Sequence, residues 1–473
     1  MDCIEKEKHR RLALAICVLA VYLFYLFGNL NIYLFLTLNT TWYAALLPVL
    51  LAGTLYFCKQ WDKWEYRLLV LYFLWYVLSR ILCGDPALKE EYLTVIQLSV
   101  MIPFFALGLT LNEEKRKRFL DIFSGIAGGF YFLLGLLCIY TFILRIQIQN
   151  PITQQFICGV KRASGFSRLN VLDINVDTTA FWFMSSFFLM VYQFFACRQK
   201  LWRIPITLSA LVDYIVMSMI YTRSVMVAMS VSLGLLVMLV LHEKLCIQKK
   251  ALKGLLLAAA FLITVPLVYM SFEPVMNAFG RISISVRYEG ITEEEKSDAF
   301  EQDYSNNRKL VGTGKTLNAV SSGRIMIYEA ALDAIREDPS ILLRGCLDDK
   351  SAEDLTRSLF EKGLIRESKF VPHYQNYLIQ VLIIVGIPGL ILVLMFSFLL
   401  VYKSIKVFFN REKRIPMSVK VLPLPIAATL LYEMLEIGIF TATDLRTLFF
   451  FLISGMFIGW YYDYFPVKKP ETA

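Results

Sequence analysis

Stretches of about twenty consecutive, mostly apolar residues recur along this chain, and each is long enough as a helix to cross the roughly 30 Å hydrocarbon layer of a bilayer. They lie near 11–30, 40–58, 66–83, 92–111, 119–144, 178–197, 204–221, 223–241, 252–272, 374–402, 420–440 and 445–462. Backbone in hydrocarbon has no water to bond with, so such spans must be helical. The expected fold is an all-α polytopic membrane protein with about 12 transmembrane helices. Composition excludes the soluble alternative, in which 473 residues would divide into two or three domains. Apolar residues reach 57%, charged residues only 18% and mean hydropathy +0.56. A soluble chain carries about 25% charged residues.

The first span has too long an apolar run for a cleaved signal peptide, and no small-residue cleavage site follows it, so it is expected to stay in the membrane. Lys and Arg in short loops set orientation, because these residues remain cytoplasmic. Alternate connections, from Lys6–Arg11 through Lys115–Arg118 to Lys468 and Lys469, hold 26 of the 48 basic residues, against eight in the short connections between them. An even number of spans with both termini cytoplasmic follows. The net charge of +9 then reflects a basic face beside anionic lipid, and no nucleic-acid partner is needed to explain it. The nine cysteines have no metal-ligand spacing. Only Cys158 and Cys346 fall clearly in outer segments, so a disulfide, if present, would join those two.

The spans are distributed unevenly. Residues 1–272 form an N-terminal membrane domain of about nine spans, 273–373 a large extracytoplasmic loop, and 374–473 a C-terminal membrane segment of about three. No internal repeat is evident, which disfavours transporter folds built from repeats. The loop opens with an acidic, polar stretch, Glu289 to Asn307, whose composition suits solvent. Gly312-Thr313-Gly314-Lys315 lacks the spacing and preceding strand of a phosphate-binding loop. Residues 323–338 place Ile325, Tyr328, Leu332 and Ile335 at helical spacing, with Pro339 as a stop, and 351–363 read as a second helix. The loop is thus a helical cap on the membrane domain.

Several residues could carry chemistry. Arg324, in the first turn of a cap helix, opposes the helix dipole, yet a guanidinium beside free N–H groups suits a phosphate or diphosphate. A contact with lipid headgroups or a nearby acid would also account for it. Arg223 occupies a tight turn between two spans, where it faces either headgroups or a partner in the interior. Asp213, Glu433 and Glu436 are intramembrane acids. The two glutamates, three apart, share a helix face, and an inward arginine is their simplest partner, with proton or cation coupling as the alternative. His373 stands where the cap returns to the membrane, a place where a base could meet a lipid-borne donor and a soluble acceptor.

Taken together, the late segments resemble the O-antigen ligase and polysaccharide polymerase family of membrane glycosyltransferases. Ser322-Gly323-Arg324 followed by Tyr328, Ala331, Pro339 and Gly345 resembles its cap pattern, with Tyr328 in place of a tryptophan. Gln375-Asn376-Tyr377, Gln380, Gly386, Ile387, Gly389 and Leu390 resemble its re-entry segment, and Thr222-Arg223-Ser224 its Thr/Ser-Arg motif. Arg162 to Ala180 is loosely similar to a preceding outer loop. One departure matters: the family's histidine aligns with Gln375, which cannot act as a base, so either His373 takes that role or positioning and charge stabilisation suffice.

The resemblance implies a GT-C-like architecture in a bacterial cytoplasmic membrane. It also implies inverting glycan transfer from an undecaprenyl-diphosphate carrier, without metal or cofactor, in capsule or exopolysaccharide assembly. Arg223 and Arg324, with Arg162 or Arg168, would hold the diphosphate, His373 would orient or deprotonate the acceptor, and Tyr328, Tyr374, Tyr377, Gln375 and Asn376 would line the substrate. Expected partners are the lipid-linked glycan, membrane lipid, and a flippase and chain-length regulator of the same pathway. Polymerisation of repeat units is the leading expectation, with ligation to a lipid or cell-wall acceptor beside it. A transporter or flippase using Asp213, Glu433 and Glu436, or a non-catalytic assembly partner, would fit other features.

Overall fold

The computed structural model describes residues 2–29, 41–58, 60–83, 98–149, 156–163, 166–171, 176–245, 249–287, 328, 331–332, 335–336, 338–345, 376–410, 415–436, 439–441 and 445–466. Its elements are α1 (Asp2–Asn29), α2 (Thr41–Phe57), α3 (Trp64–Cys83), α4 (Met101–Thr110) and α5 (Glu113–Leu144), then β1 (Gln147–Gln149), β2 (Phe156–Ala163) and β3 (Phe166–Val171). The chain continues through α6 (Val176–Ala196), α7 (Arg203–Ile220), α8 (Arg223–Lys244), α9 (Lys250–Arg287), α10 (Ile341–Arg344), α11 (Tyr377–Phe408), α12 (Met417–Lys420), α13 (Pro423–Glu433) and α14 (Leu445–Tyr464). Seven of these helices are long and apolar enough to cross a membrane among the described residues: α5 to α9, α11 and α14. The fold is mostly helical and polytopic.

Three differences from the sequence-based expectation are physical. First, the connection before α6 is a three-stranded antiparallel meander, β1-β2-β3, which the all-α reading omitted. Gly159 makes it compact: at φ +146° its Cα faces Ile146, and a Cβ there would lie 2.4 Å from the Ile146 carbonyl oxygen. Second, the expected span 374–402 is not one straight helix. Gly386, at φ +69° and ψ −174°, breaks α11 into arms 377–385 and 387–408. Tyr377 and Phe396 both pack their rings at 6.1 Å from Phe440, although nineteen residues of straight helix would separate them by roughly 28 Å. The arms therefore fold back on one another. Third, the expected span 420–440 ends early, at Glu433, and continues in turns.

The break at Gly386 is filled by its surroundings. Trp75 Nε1 on α3 donates to the Val385 carbonyl at 2.7 Å, and the Ser79 hydroxyl bridges the Arg344 and Ile384 carbonyls. α10 lies directly on the bend, where Gly345 at φ +84° permits backbone contact: a Cβ would sit 2.2 Å from the Ile384 oxygen. Beside it, Ala331 and Ile335 of the cap pack with Ile341, Ile379 and Ile383. The buried cap face thus runs through Ala331 and Ile335, while Leu332, expected on that face, is 54% exposed.

At the core, α4 and α14 cross at backbone distance. A Cβ on Gly455 would fall 2.1 Å from the Phe105 oxygen, and one on Gly459 2.2 Å from the Gly108 oxygen, so only glycine fits this crossing. At the end richest in Lys and Arg, the buried Lys403 ammonium bonds the Glu65 carboxylate and, at 2.8 Å, the Tyr462 hydroxyl, which donates to Glu65 at 2.9 Å. Cys158 is buried against Cys138 on α5, the two thiols hydrogen-bonded; Cys346, its expected partner, lies outside the described residues.

Candidate functional site

Helix ends gather opposite the basic end. Lys420 Nζ bonds Glu243 Oε1 at 2.6 Å, which pins the start of α13 beside the end of α8. Counted from that contact, the far end of α13 at Glu433 lies roughly 20 Å along the axis and Arg223, at the start of α8, roughly 30 Å. Glu433 is thus about two helical turns deeper than Arg223. The rings of Tyr432 and Phe181 meet at 4.9 Å and those of Phe181 and Phe449 at 6.3 Å, which puts the starts of α6 and α14 at the level where α13 stops. Helix starts carry unpaired N–H groups and positive dipole ends, so their gathering favours negative charge.

A buried ion pair sits at the centre. Arg446 Nη1 lies 3.9 Å from Glu433 Oε1, with Glu433 fully buried and Arg446 8% exposed. The Ile439 amide donates to Glu433 Oε2 at 3.4 Å, and Arg446 Nη1 also donates to the Tyr432 hydroxyl at 3.4 Å. Each charge is on the wrong helix end for the dipole, a carboxylate at a C-terminus and a guanidinium in a first turn. Helix stability therefore does not account for the pair. The charges of Arg446, Glu436, Asp177 and Glu433 all bear on the Tyr432 hydroxyl, so two further acids border the cluster.

The re-entry segment reaches this depth. Asn376 caps α11, its side-chain oxygen accepting from the Leu378 and Ile379 amides at 3.0 and 3.3 Å, while its Nδ2 donates to the Met434 carbonyl at 3.0 Å. One side chain thereby ties the foot of the 377–385 arm to the first turn beyond α13. Tyr377 is buried there against Phe440. Non-helical backbone at membrane depth persists only where protein or a cavity surrounds it. Here the start of α11 at Asn376 faces the non-helical turn that begins at Met434.

Of the residues singled out from sequence, Arg223 is half-buried at the first position of α8, Asn376 and Tyr377 join the deep cluster, and Tyr328 is half-buried in the cap. Arg162 and Arg168 stand on β2 and β3, in register with Ser167 and Lys161. Their sheet rests on α5, α6 and α7. His373, Arg324, Tyr374 and Gln375 lie outside the described residues. Glu433 and Glu436, expected on one α-helical face, are joined instead by a turn beyond the end of α13, in which the Glu436 amide donates to the Glu433 carbonyl at 3.4 Å. Asp213 belongs elsewhere: buried on α7, its polar neighbours are Ser186 and Tyr131. Sequence reasoning anticipated an inward arginine for Glu433 without identifying Arg446, whose signal was a cation at the start of an otherwise apolar span.

No curated protein and no solved structure matches the chain. Residues 206–394 match the family model described as O-Antigen ligase, a stretch that runs from α7 through the cap to the second arm of α11 and includes Arg223, Asn376, Tyr377 and Gly386. The family resemblance read from the late motifs is therefore supported over this stretch: residues 206–394 carry an O-antigen ligase domain.

Proposed function

We propose that this protein is a membrane glycosyltransferase that polymerises undecaprenyl-diphosphate-linked oligosaccharides into a surface polysaccharide. The O-antigen ligase domain at residues 206–394 supports a role in glycan assembly. One observation supports the finer reading most: Asn376, inside the family domain, is hydrogen-bonded to the broken segment that follows Glu433, beneath the helix start that carries Arg223.

Departure of a diphosphate leaves charge on oxygen, and cations with helix starts already in place stabilise it without reorganisation. Arg223 and Arg324, with Arg162 or Arg168, bind the diphosphate. His373, tethered by three residues within roughly 10 Å of Asn376, orients or deprotonates the acceptor hydroxyl. Gln375, Tyr328, Tyr374 and Tyr377 position the sugars. Inversion in a single displacement, with no metal, matches this set of residues. The cap end faces away from the cytoplasm, as the positions of the Lys and Arg clusters support.

The test is turnover by purified protein given undecaprenyl-diphosphate oligosaccharide. Longer lipid-linked glycans and released carrier diphosphate are expected from donor alone. Product formed only when a separate lipid or cell-wall acceptor is added would make the protein a ligase, and no product with either would overturn the enzyme reading.

A further inference from the structure

The basic end of the molecule holds a cavity of about 340 Å³, far from the candidate site. Its wall includes Arg11 of α1, Lys63 before α3, Asn112 and Arg116 at the start of α5, and Tyr462 and Asp463 of α14. Its lining thus holds three cations and one carboxylate. That carboxylate is already neutralised: Arg116, 2% exposed, bonds Asp463 Oδ2 at 2.6 Å through Nη1 and the Gly108 carbonyl at 2.8 Å through Nε. Asn112 adds the positive end of the 32-residue helix α5, and Glu113, the next residue, accepts from the Tyr464 hydroxyl. Lys63 is held 4.2 Å over the Tyr462 ring, itself fixed by the Lys403–Glu65 network, and pairs with the exposed Asp62 at 2.7 Å, a solvent-screened contact that a phosphate can share. The cavity is concave and its lining carries more cations than carboxylates, which suits a phosphate ester.

Its depth identifies the source of that ester. Trp61 and Trp64, 45% and 61% exposed, flank Lys63, and exposed tryptophans sit at the headgroup level of a bilayer. On α1, Arg11 is followed by Leu12 and Ile16, 57% and 58% exposed, an apolar strip on which acyl chains can lie. We propose that this cavity binds the phosphodiester headgroup of an anionic phospholipid from the adjacent leaflet, with Arg11 and Lys63 as its cations and Arg116 as a structural wall.

The full-length protein, stripped of lipid in detergent, is mixed with equal phosphatidylglycerol and phosphatidylethanolamine and examined by native mass spectrometry. Preferential retention of phosphatidylglycerol is expected. At about one kcal/mol per surface cation, Arg11→Ala/Lys63→Ala should weaken it roughly 30-fold. Lys249→Ala/Lys250→Ala, which removes equal charge from exposed positions at the same end, should leave it unchanged. Equal loss in both double variants, or no preference between the lipids, would overturn the proposal. Isothermal titration with inorganic phosphate separates the other source. Phosphate binding that needs Arg11 and Lys63, without lipid preference, would make this a soluble-phosphate site and overturn the lipid assignment.

Discussion

At the scale of single residues, two positions carry consequences out of proportion to their size. Gly386 combines a left-handed backbone with a Cβ position 2.6 Å from the Leu343 oxygen. Gly386→Ala should cost at least about 1–3 kcal/mol and lower the unfolding temperature in detergent. Gly125→Ala on α5, where a Cβ meets nothing within 4 Å, should be neutral or slightly stabilising in the same measurement. Arg446 and Glu433 are bound by a different logic. Arg446→Met leaves a carboxylate buried without its counter-charge and should destabilise by about 3–5 kcal/mol. Arg446→Met/Glu433→Met should lie much nearer wild type, since it removes both desolvated charges. Thermal unfolding of the two single variants and the double closes that cycle, and additive losses would refute the pairing.

At the scale of elements, the two crossings that shape the bundle are backbone contacts. Gly455→Val would drive a branched side chain into the α4 backbone at Phe105. Loss of monodisperse protein on size exclusion is the expected outcome. The α10 turn rests on an exposed carboxylate instead. Hydrogen bonds from the Ser340 side chain and amide, then Arg344, hold Asp338 below the ordinary carboxylate range. A depressed carboxylate contributes stability that is present above its unfolded value and is lost as pH falls through its folded one. Hydrogen-exchange protection of amides 340–345, corrected for intrinsic rates, should therefore fall on acidification, and Asp338→Asn should abolish that dependence. Sequence spacing showed where most helices run, but not that 377–385 turns back: Gly386-Ile387-Pro388-Gly389 marks a weak point in an apolar run, and the bonds from Trp75 and Ser79 to the freed carbonyls show how far the chain bends there.

At the scale of the whole molecule, polar work divides between two ends. The cap end joins α6, α8, α11, α13 and α14 around one buried ion pair, and the basic end closes α1, α4, α5 and α14 around a positive cavity. In the proposed reaction Arg223→Ala should reduce glycan extension by about 10²–10³-fold, while the protein keeps its unfolding temperature, since Arg223 is only half-buried. Unchanged turnover would remove it from the diphosphate site.

Helical class, spans long and apolar enough to cross a membrane, and the family motifs followed from the sequence, because apolar run length and short motifs are local properties. Which partner Glu433 takes, where two helices break, and that Asn376 bonds the Met434 carbonyl were decided only in the tertiary structure. These are contacts between residues 13 to 58 positions apart. Only packing in a medium without water, where every freed polar group must find a protein partner, selects among them.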